Sequence, residues 1–247
     1  GSDLANIKTS AKQNKDKFLI NGQKTFISNG HISDLVITAC KTTPDVGAKG
    51  ISLLVVLRDD EGFSRGQNLE KIGWHAQDTA ELFYSDIEVT VDRMIGEENK
   101  GFTYLMQELA QERLIVAIRA ATTIEAALEE TIKYTKGREA FGKPLFSFQN
   151  TRFKLAEAKT NATVVRSFID QCTSLHMTQS LDANDAAMAK LFATETMCKV
   201  LDDCLQMYGG YGYMWEYPIA RMWAGQRIAR IAGGSSEIMK EIISRTL

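Results

Sequence analysis

The sequence predicts an α+β fold in which a small antiparallel β domain is followed by an antiparallel four-helix bundle. Short β-prone runs, connected by Gly and Asp residues, fill the first part of the chain. Long amphipathic segments fill the rest, which contains only two of the three prolines, Pro144 and Pro218. We therefore expect two domains, residues 1–95 and 96–247.

The β domain contains one strong turn signal. Residues 17–28 form two β-prone runs on either side of Asn21-Gly22, a dipeptide typical of two-residue hairpin turns. We therefore expect a hairpin with its turn at these two residues. Further strands are expected at residues 35–39, 51–57 and 80–84.

Helical periodicity is expected in four segments, residues 97–136, 148–177, 182–209 and 235–245. In the first segment, Glu112 falls on the apolar stripe, three residues after Leu109 and four before Val116. The same periodicity therefore predicts that the Glu112 carboxylate faces the core. A buried carboxylate costs several kcal/mol unless it is paired or has a task. Glu112 is accordingly either a general base or a structural partner of Arg113 or Lys136.

Composition excludes several classes of partner. The chain has 29 basic and 31 acidic residues and a net charge of -2, which gives no electrostatic case for nucleic acid. Four cysteines without a C-x-x-C pair and three dispersed histidines indicate buried thiols in a reducing compartment and no metal site. No apolar run approaches the roughly 18 residues of a membrane span. The chain leads almost directly into a predicted strand, so we expect it to begin within a longer protein.

Two loops between the helical segments carry residues suited to nucleotide binding. Residues 137–144 combine two glycines with an arginine, a lysine and a phenylalanine, and residues 206–218 contain three glycines within four positions. Glycine allows a ligand to approach the backbone, and arginine can hold a phosphate through two N–H groups. Each loop alone is typical of a helix-to-helix turn, whereas together they suggest a nucleotide-shaped cofactor. Neither contains a P-loop or a Rossmann motif.

With these residues in view, the chain resembles the acyl-CoA dehydrogenase family, and within it the long-chain branch. The resemblance extends over essentially all 247 residues and is carried by residues 1–3, 21–24, 26–30, 77–82, 96–102, 111–114, 138–144 and 209–218. It implies a middle β domain and a C-terminal four-helix bundle, without the N-terminal helical domain of the family. It also implies FAD-dependent α,β-dehydrogenation of a medium-to-long-chain fatty acyl-CoA to the trans-2-enoyl-CoA. Electrons would pass to an electron-transfer flavoprotein, as in fatty acid β-oxidation.

The resemblance also implies the site residues. Glu112 would be the catalytic base, because Gly233 stands where most family members carry that glutamate. Residues 26–28 would face the flavin, Arg138 and Gln149 its pyrophosphate and adenine, and residues 206–210 the FAD of a neighbouring subunit. The implied FAD-binding residues are Ser2, Phe26, Ile27, Ser28, Arg138, Gln149, Gln206, Met207, Tyr208, Gly209, Gly210, Ser235, Ser236 and Glu237. The implied acyl-CoA-binding residues are Ser2, Ala48, Lys49, Thr103, Ala110, Gln111, Glu112, Arg113, Gly233 and Gly234.

Two positions depart from the family pattern. Ala232 replaces a usual aromatic residue, and Gly225 replaces a usual Asp. They motivate a second hypothesis, a non-catalytic relative that serves as an assembly or binding protein. An acyl-CoA oxidase is a third.

We further expect a homotetramer built as a dimer of dimers, because residues Val200, Leu201, Leu205 and Met207 suggest more apolar surface than four helices need. The compartment would be the mitochondrial matrix in a eukaryote and the cytoplasm in a bacterium. The chain by itself is expected to be inactive, since the missing domain shapes much of the acyl pocket.

Overall fold

The computed structural model describes residues 1–247, which form two compact units, Gly1–Gln107 and Glu108–Leu247. The division lies within the first long helix, whereas the sequence analysis proposes a domain boundary between residues 95 and 96. The two units are described in turn.

A seven-stranded sheet forms the first unit. All neighbouring strands pair antiparallel except β1 and β3, which are parallel where Ser10 pairs with Lys41. The strand order is β5-β6-β2-β1-β3-β4-β7. The strands are β1 (Ser10–Asn14), β2 (Lys17–Ser28), β3 (Leu35–Lys41), β4 (Ile51–Leu57), β5 (Phe63–Asn68), β6 (Thr79–Thr90) and β7 (Met94–Ile95). The predicted antiparallel β domain is confirmed, and β3, β4 and β6 contain the three further strands that were expected.

Alternating apolar residues give the sheet its core, because successive side chains of a strand point to opposite faces. In β2, Phe18 and Ile20 are buried, and in β6, Ile87 and Val89 are buried, each pair separated by one residue. The full core cluster is Ala11, Phe18, Ile20, Cys40, Leu54, Val56, Leu82, Tyr84, Ile87 and Val89.

The predicted hairpin turn at Asn21-Gly22 is wrong. Strand β2 continues through both residues, and the turn of the first hairpin lies at residues 15–16, since Asn14 pairs with Lys17. Asn21 and Gly22 instead form an irregularity in the pairing of β2 with β6, where the register shifts. The dipeptide therefore marks a β-bulge and not a chain reversal.

Contacts across the bulge explain why this dipeptide does not turn. The Asn21 side-chain amide donates to Asp86 Oδ1 at 2.9 Å, and the Asp86 amide donates to Asn21 Oδ1 at 3.0 Å. Gly22 has φ +145°, and a Cβ placed there would lie 2.7 Å from the Thr9 Cα. A residue with a side chain would collide with the neighbouring backbone, so the glycine is required by close packing inside the sheet.

Helices dominate the second unit. They are α1 (Gly101–Gly137), α2 (Gln149–Met177), α3 (Ala183–Met207), α4 (Pro218–Gln226) and α5 (Ser236–Ser244). The four predicted helical segments are confirmed as α1, α2, α3 and α5. A two-stranded ribbon, β8 (Glu139–Ala140) and β9 (Lys143–Pro144), lies in the loop after α1. The nine-residue α4 was not predicted, although α5, which has the same length, was.

Polar residues and proline define where three of the helices begin. The Asp182 carboxylate accepts a hydrogen bond from the Asp185 amide at 2.7 Å, and the Ser235 hydroxyl accepts one from the Ile238 amide at 3.4 Å. Both bonds satisfy an amide that the first helical turn leaves without a partner. Pro218 occupies the first position of α4, where no amide hydrogen is needed.

Small residues line much of the bundle core. The large buried side chains include Ile124, Ile169 and Met197, and nine of the 22 buried residues of the core cluster are alanines. Alanine permits close approach of helix axes. The buried alanines of the core cluster are Ala117, Ala120, Ala121, Ala127, Ala158, Ala162, Ala189, Ala193 and Ala229.

The residues predicted to supply surplus apolar surface do not do so. Val200 and Leu201 are each only 1% exposed and belong to the bundle core, and Leu205 and Met207 pack partly buried against it. Their apolar character is thus explained by packing within one chain.

The cysteines are all free thiols. Three of them are buried, and Cys198 is half-buried. Burial raises the pKa of the Cys40 thiol to about 12.

The structure holds no group of three His, Cys, Asp or Glu side chains suited to a metal ion. None of its helices combines the length and the apolarity that crossing a membrane requires.

Candidate active site

Glu112 is exposed on α1, so the prediction that its carboxylate faces the core is wrong. The buried face of the helix passes instead through Leu114, Ala117 and Ile124. The apolar residues before Glu112 misled the periodicity, because Leu109 is only partly buried. The Glu112 carboxylate therefore lies at the edge of the buried face, where the chain itself leaves it accessible to a ligand.

Gly233 lies beside the same edge of α1. A Cβ built on Gly233 would be 3.9 Å from Val116 Cγ2 and 3.6 Å from Lys190 Cε. Val116 follows Glu112 by one helical turn and so shares its side of the helix. The structure thus brings the segment of Glu112 and the glycine at position 233 to one place in the bundle.

Lys190 is a functional candidate that the sequence analysis missed. Its side chain is 1% exposed on α3, and its ammonium donates a hydrogen bond to the Gly234 carbonyl oxygen. Burial, followed by the nearby charge of Arg113, lowers the pKa of Lys190 to about 8. A signal was available, because this lysine interrupts the run Ala186, Ala187, Ala189 and Ala193 that forms the buried stripe of α3.

Arg113, assigned by resemblance to acyl-CoA binding, is the second buried cation of this region. It is 7% exposed, and its Nε has no hydrogen-bond partner. Burial lowers the pKa of Arg113, and the adjacent Glu112 opposes that shift. Two buried cations thus lie near one accessible carboxylate, an arrangement that can stabilise negative charge on a ligand.

A network centred on Glu195 ties together the two ends of the loop that carries Gly233. Glu195 Oε1 accepts bonds of 2.8 Å from Arg230 Nε and 2.6 Å from the Ser236 hydroxyl. Arg230 precedes the loop and Ser236 follows it. Of the three predicted cofactor residues here, Ser236 is buried in this network, Ser235 caps α5, and Glu237 is exposed.

The two glycine-containing loops meet in the second unit. The Tyr134 ring stacks on Tyr208 with 3.9 Å between centroids, and the Tyr134 hydroxyl donates to the Tyr208 carbonyl oxygen at 3.3 Å. The Arg138 guanidinium lies 5.6 Å from the Tyr211 ring centroid. The prediction that residues of both loops could serve one ligand is therefore geometrically possible.

Open backbone and exposed polar groups surround this meeting point. Arg138, Gln149 and Gln206 are exposed, and a Cβ on Gly209 or Gly210 would meet no atom within 4 Å. Met207 is partly buried, and Tyr208 is only 5% exposed. Tyr208 can therefore offer a ligand little beyond its backbone.

Phe26 is the most unusual predicted cofactor residue of the first unit. Its side chain is 76% exposed and its φ is +62°, which is rare for a residue with a bulky side chain. The register of β2 against β6 shifts between Lys24 and Ile27, so the strand bulges at this point. Ile27 is partly buried, and Ser28 is exposed at the end of β2. The bulge projects an aromatic ring from the end of the sheet.

The remaining predicted acyl-CoA residues lie at accessible positions. In the first unit, the 3-10 turn Leu4–Asn6, just after exposed Ser2, packs against the turn Gly47–Gly50. That second turn carries Ala48 and Lys49, and Thr103 is exposed in the first turn of α1. In the second unit, Ala110 is partly buried and Gln111 is exposed.

Comparisons with known proteins identify the family of both parts of the chain. Residues 1–87 match the family model of the acyl-CoA dehydrogenase middle domain, and residues 99–247 match that of the acyl-CoA dehydrogenase C-terminal domain. The long-chain specific acyl-CoA dehydrogenase of mouse mitochondria (Mus musculus) is 48% identical over the whole chain. This chain spans only 58% of the length of that relative.

Solved structures show the same fold. An acyl-CoA dehydrogenase from Geobacillus kaustophilus has a TM-score of 0.98 and 48% identity, with 100% of this chain and 65% of that chain covered. A structure described as PigA with FAD and proline has a TM-score of 0.94 and 28% identity, covering 100% of this chain and 64% of that one.

Proposed function

Because the chain belongs to the acyl-CoA dehydrogenase family, we propose that the protein carrying it removes hydrogen from the α and β carbons of a medium-to-long-chain fatty acyl-CoA. The product is the trans-2-enoyl-CoA. The observation that carries this proposal is that Gly233 lies beside Val116, which follows the accessible Glu112 by one turn of α1. The 48% identity to a long-chain specific relative favours the longer substrates.

Each residue near Gly233 has a task in this reaction. Glu112 accepts the proton of the α carbon as general base. Arg113 and Lys190 are buried cations, and they favour the negative charge that develops when that proton leaves. Gly233 and Gly234 allow the thioester to approach the main chain, because neither presents a side chain.

FAD is the cofactor of this family, and when bound it accepts the hydride of the β carbon. The exposed Arg138 guanidinium and the open backbone at Gly209 and Gly210 fit a diphosphate ligand. Phe26, exposed at the end of β2, fits a stacking contact with a flavin ring. Hydrogen bonds at the rim of the proposed FAD site can be formed by the exposed side chains of Gln149, Gln206 and Glu237.

The departures at positions 225 and 232 do not remove the features that the proposal uses. Gly225 is buried in α4 and Ala232 is exposed, and the segment between them is tied to α3 through Arg230 and Glu195. The non-catalytic alternative therefore rests on two absent side chains. Its distinctive prediction is that neither FAD nor acyl-CoA chemistry is found.

Three finer features belong to the same proposal. The electron acceptor of the reaction would be an electron-transfer flavoprotein. The protein is a homotetramer, in which residues 206–210 of one subunit approach the FAD of its neighbour. It works in the mitochondrial matrix if its source is a eukaryote and in the cytoplasm if its source is a bacterium.

The test measures anaerobic reduction of the bound flavin in the full-length protein. Palmitoyl-CoA should bleach the flavin absorbance of the wild type. Glu112→Gln should retain FAD but reduce it about 10²–10⁴ times more slowly, because an amide cannot accept the proton. Glu129→Gln, an exposed position later on α1, is the control and should behave as wild type.

Each other outcome has a definite meaning. Reduction of Glu112→Gln at the wild-type rate would exclude Glu112 as the base. A wild-type protein without FAD or bleaching would favour the non-catalytic alternative. Stoichiometric peroxide in air without an electron acceptor would identify an oxidase.

A further inference from the structure

The loop that carries Gly233 contains two adjacent glycines, and its two ends are held by hydrogen bonds. Gly233 and Gly234 have φ values of +66° and +93°, and two adjacent glycines have many alternative conformations to lose. The Glu195 network holds Arg230 before the loop and Ser236 after it, but contacts neither glycine. Something else must select one conformation for the glycines themselves.

Lys190 makes that contact. Its ammonium donates to the Gly234 carbonyl oxygen, and its Cε lies 3.6 Å from the position of a Gly233 Cβ. The same side chain therefore hydrogen bonds to one glycine and packs against the other. Lys190 is 1% exposed, and burying an ammonium group beside a second cation, Arg113, is unfavourable unless the lysine has a specific role.

We propose that Lys190 is a positioning residue that fixes the Gly233-Gly234 backbone for recognition of the acyl thioester. This inference rests on the proposed function, which assigns both glycines to acyl-CoA. Lys190 contacts the loop from its inner side, leaving Gly233 exposed on the outer side. A loop held in advance loses less entropy when it binds, and so it binds the carbonyl of the ligand more tightly.

The decisive variant is Lys190→Met, which keeps a long apolar side chain against Gly233 and removes the ammonium donor. Its matched control is Lys199→Met. Lys199 lies nine residues later on α3, half a helical rotation away, and is exposed. Both variants are made in the full-length protein with FAD bound.

The first measurement is hydrogen exchange of the backbone amides of residues 231–236. Lys190→Met should increase exchange in this segment about tenfold or more, whereas Lys199→Met should not. Unchanged exchange in Lys190→Met would overturn the proposal, because it would mean that the loop is fixed without the lysine. This measurement needs no substrate, so it stands even if the proposed function fails.

The second measurement compares two ligands that are not turned over, hexadec-2-enoyl-CoA and S-hexadecyl-CoA. They share the CoA and a C16 chain, but only the first has a thioester carbonyl. Lys190→Met should lose about tenfold in affinity for the enoyl thioester and little for the thioether. Equal losses for both ligands would indicate general damage to the pocket and would overturn the positioning role.

Two further results complete the design. A wild-type protein that binds neither CoA ligand would refute the proposed function, while the exchange result would still decide whether Lys190 fixes the loop. If the methionine variant does not fold, Lys190→Leu replaces it, since it also removes the ammonium donor and leaves a smaller apolar side chain. The same two effects are then expected, and their absence would again overturn the proposal.

Discussion

Buried cations shape the chemistry around Gly233. Arg113 on α1 and Lys190 on α3 lie close enough for the charge of one to lower the pKa of the other. Both are almost completely buried. Such an arrangement lowers the stability of the folded chain and favours an anionic ligand, a combination that is typical of functional sites.

The buried lysine predicts a particular dependence of stability on pH. The pKa of Lys190 is about 8 in the folded chain, below the ordinary 10.5. Between these values the unfolded chain binds more protons, so the contribution of Lys190 to stability increases as pH rises. The difference in unfolding free energy, wild type minus Lys190→Met, should increase by about 2 kcal/mol from pH 8 to pH 10. Urea denaturation at both pH values measures it, and a constant difference would argue against the lowered pKa.

Arg138 offers a second prediction at the residue scale. A bidentate contact with a diphosphate needs the planar guanidinium, so Arg138→Lys should retain FAD about tenfold less well with an unchanged fold. If Arg138 only stabilises the C-terminal end of α1, lysine should serve equally well. FAD titration into the stripped protein decides between the two roles. Arg152→Lys, at an exposed position on α2, is the control.

Residue-level prediction from sequence failed for burial at two positions. Helical spacing assigned the Glu112 carboxylate to the buried face, because the partly buried residues before it resemble a core stripe. Lys190 was missed for the converse reason. A lysine is expected to be exposed, and its position within the alanine stripe of α3 was the available signal that this one is buried.

At the level of secondary structure, the bulge at Gly22 is a position where glycine is required. Its φ is +145°, and an added Cβ would lie 2.7 Å from the Thr9 backbone. Gly22→Ala should therefore lower the free energy of unfolding by about 1–3 kcal/mol. Gly137→Ala is the control, because Gly137 ends α1 in open space and alanine is the better helix former there.

Chemical denaturation of both glycine variants tests this prediction. The expected midpoints are lower than wild type for Gly22→Ala and equal or slightly higher for Gly137→Ala. An unchanged midpoint for Gly22→Ala would mean that the sheet relaxes to accept the methyl group.

Elements with a strong period could be predicted from the sequence, and those defined by tertiary contacts could not. The long helices α1 to α3 repeat their apolar residues over many turns. The role of Asn21-Gly22 depends on Thr9 and Asp86, which are distant in sequence, so the local hairpin signal gave the wrong answer. Strand β5 was also missed, because Phe63–Asn68 has one apolar residue and no alternation.

For the whole molecule, the exposed apolar side chains of the bundle predict self-association. The second unit exposes Met177, Tyr213 and Phe153 at 80%, 86% and 58%. Aromatic and methionine side chains at such exposure are enriched in protein interfaces. The full-length protein should therefore self-associate, as the proposed tetramer requires, and light scattering during gel filtration measures its oligomeric state directly. A monomer at micromolar concentration would contradict the proposed assembly.

The alanine-lined bundle core has a consequence for the evolution of the chain. Where alanine already fills a contact between helices, a smaller residue removes little, but a larger one must displace a neighbouring backbone. Positions such as Ala121, Ala162 and Ala193 should therefore accept glycine or serine more readily than valine or leucine. Ile124 and Ile169 should show the opposite order, tolerating large aliphatic residues and rejecting alanine. Drift at the alanine positions is thus constrained mainly by an upper limit on side-chain volume.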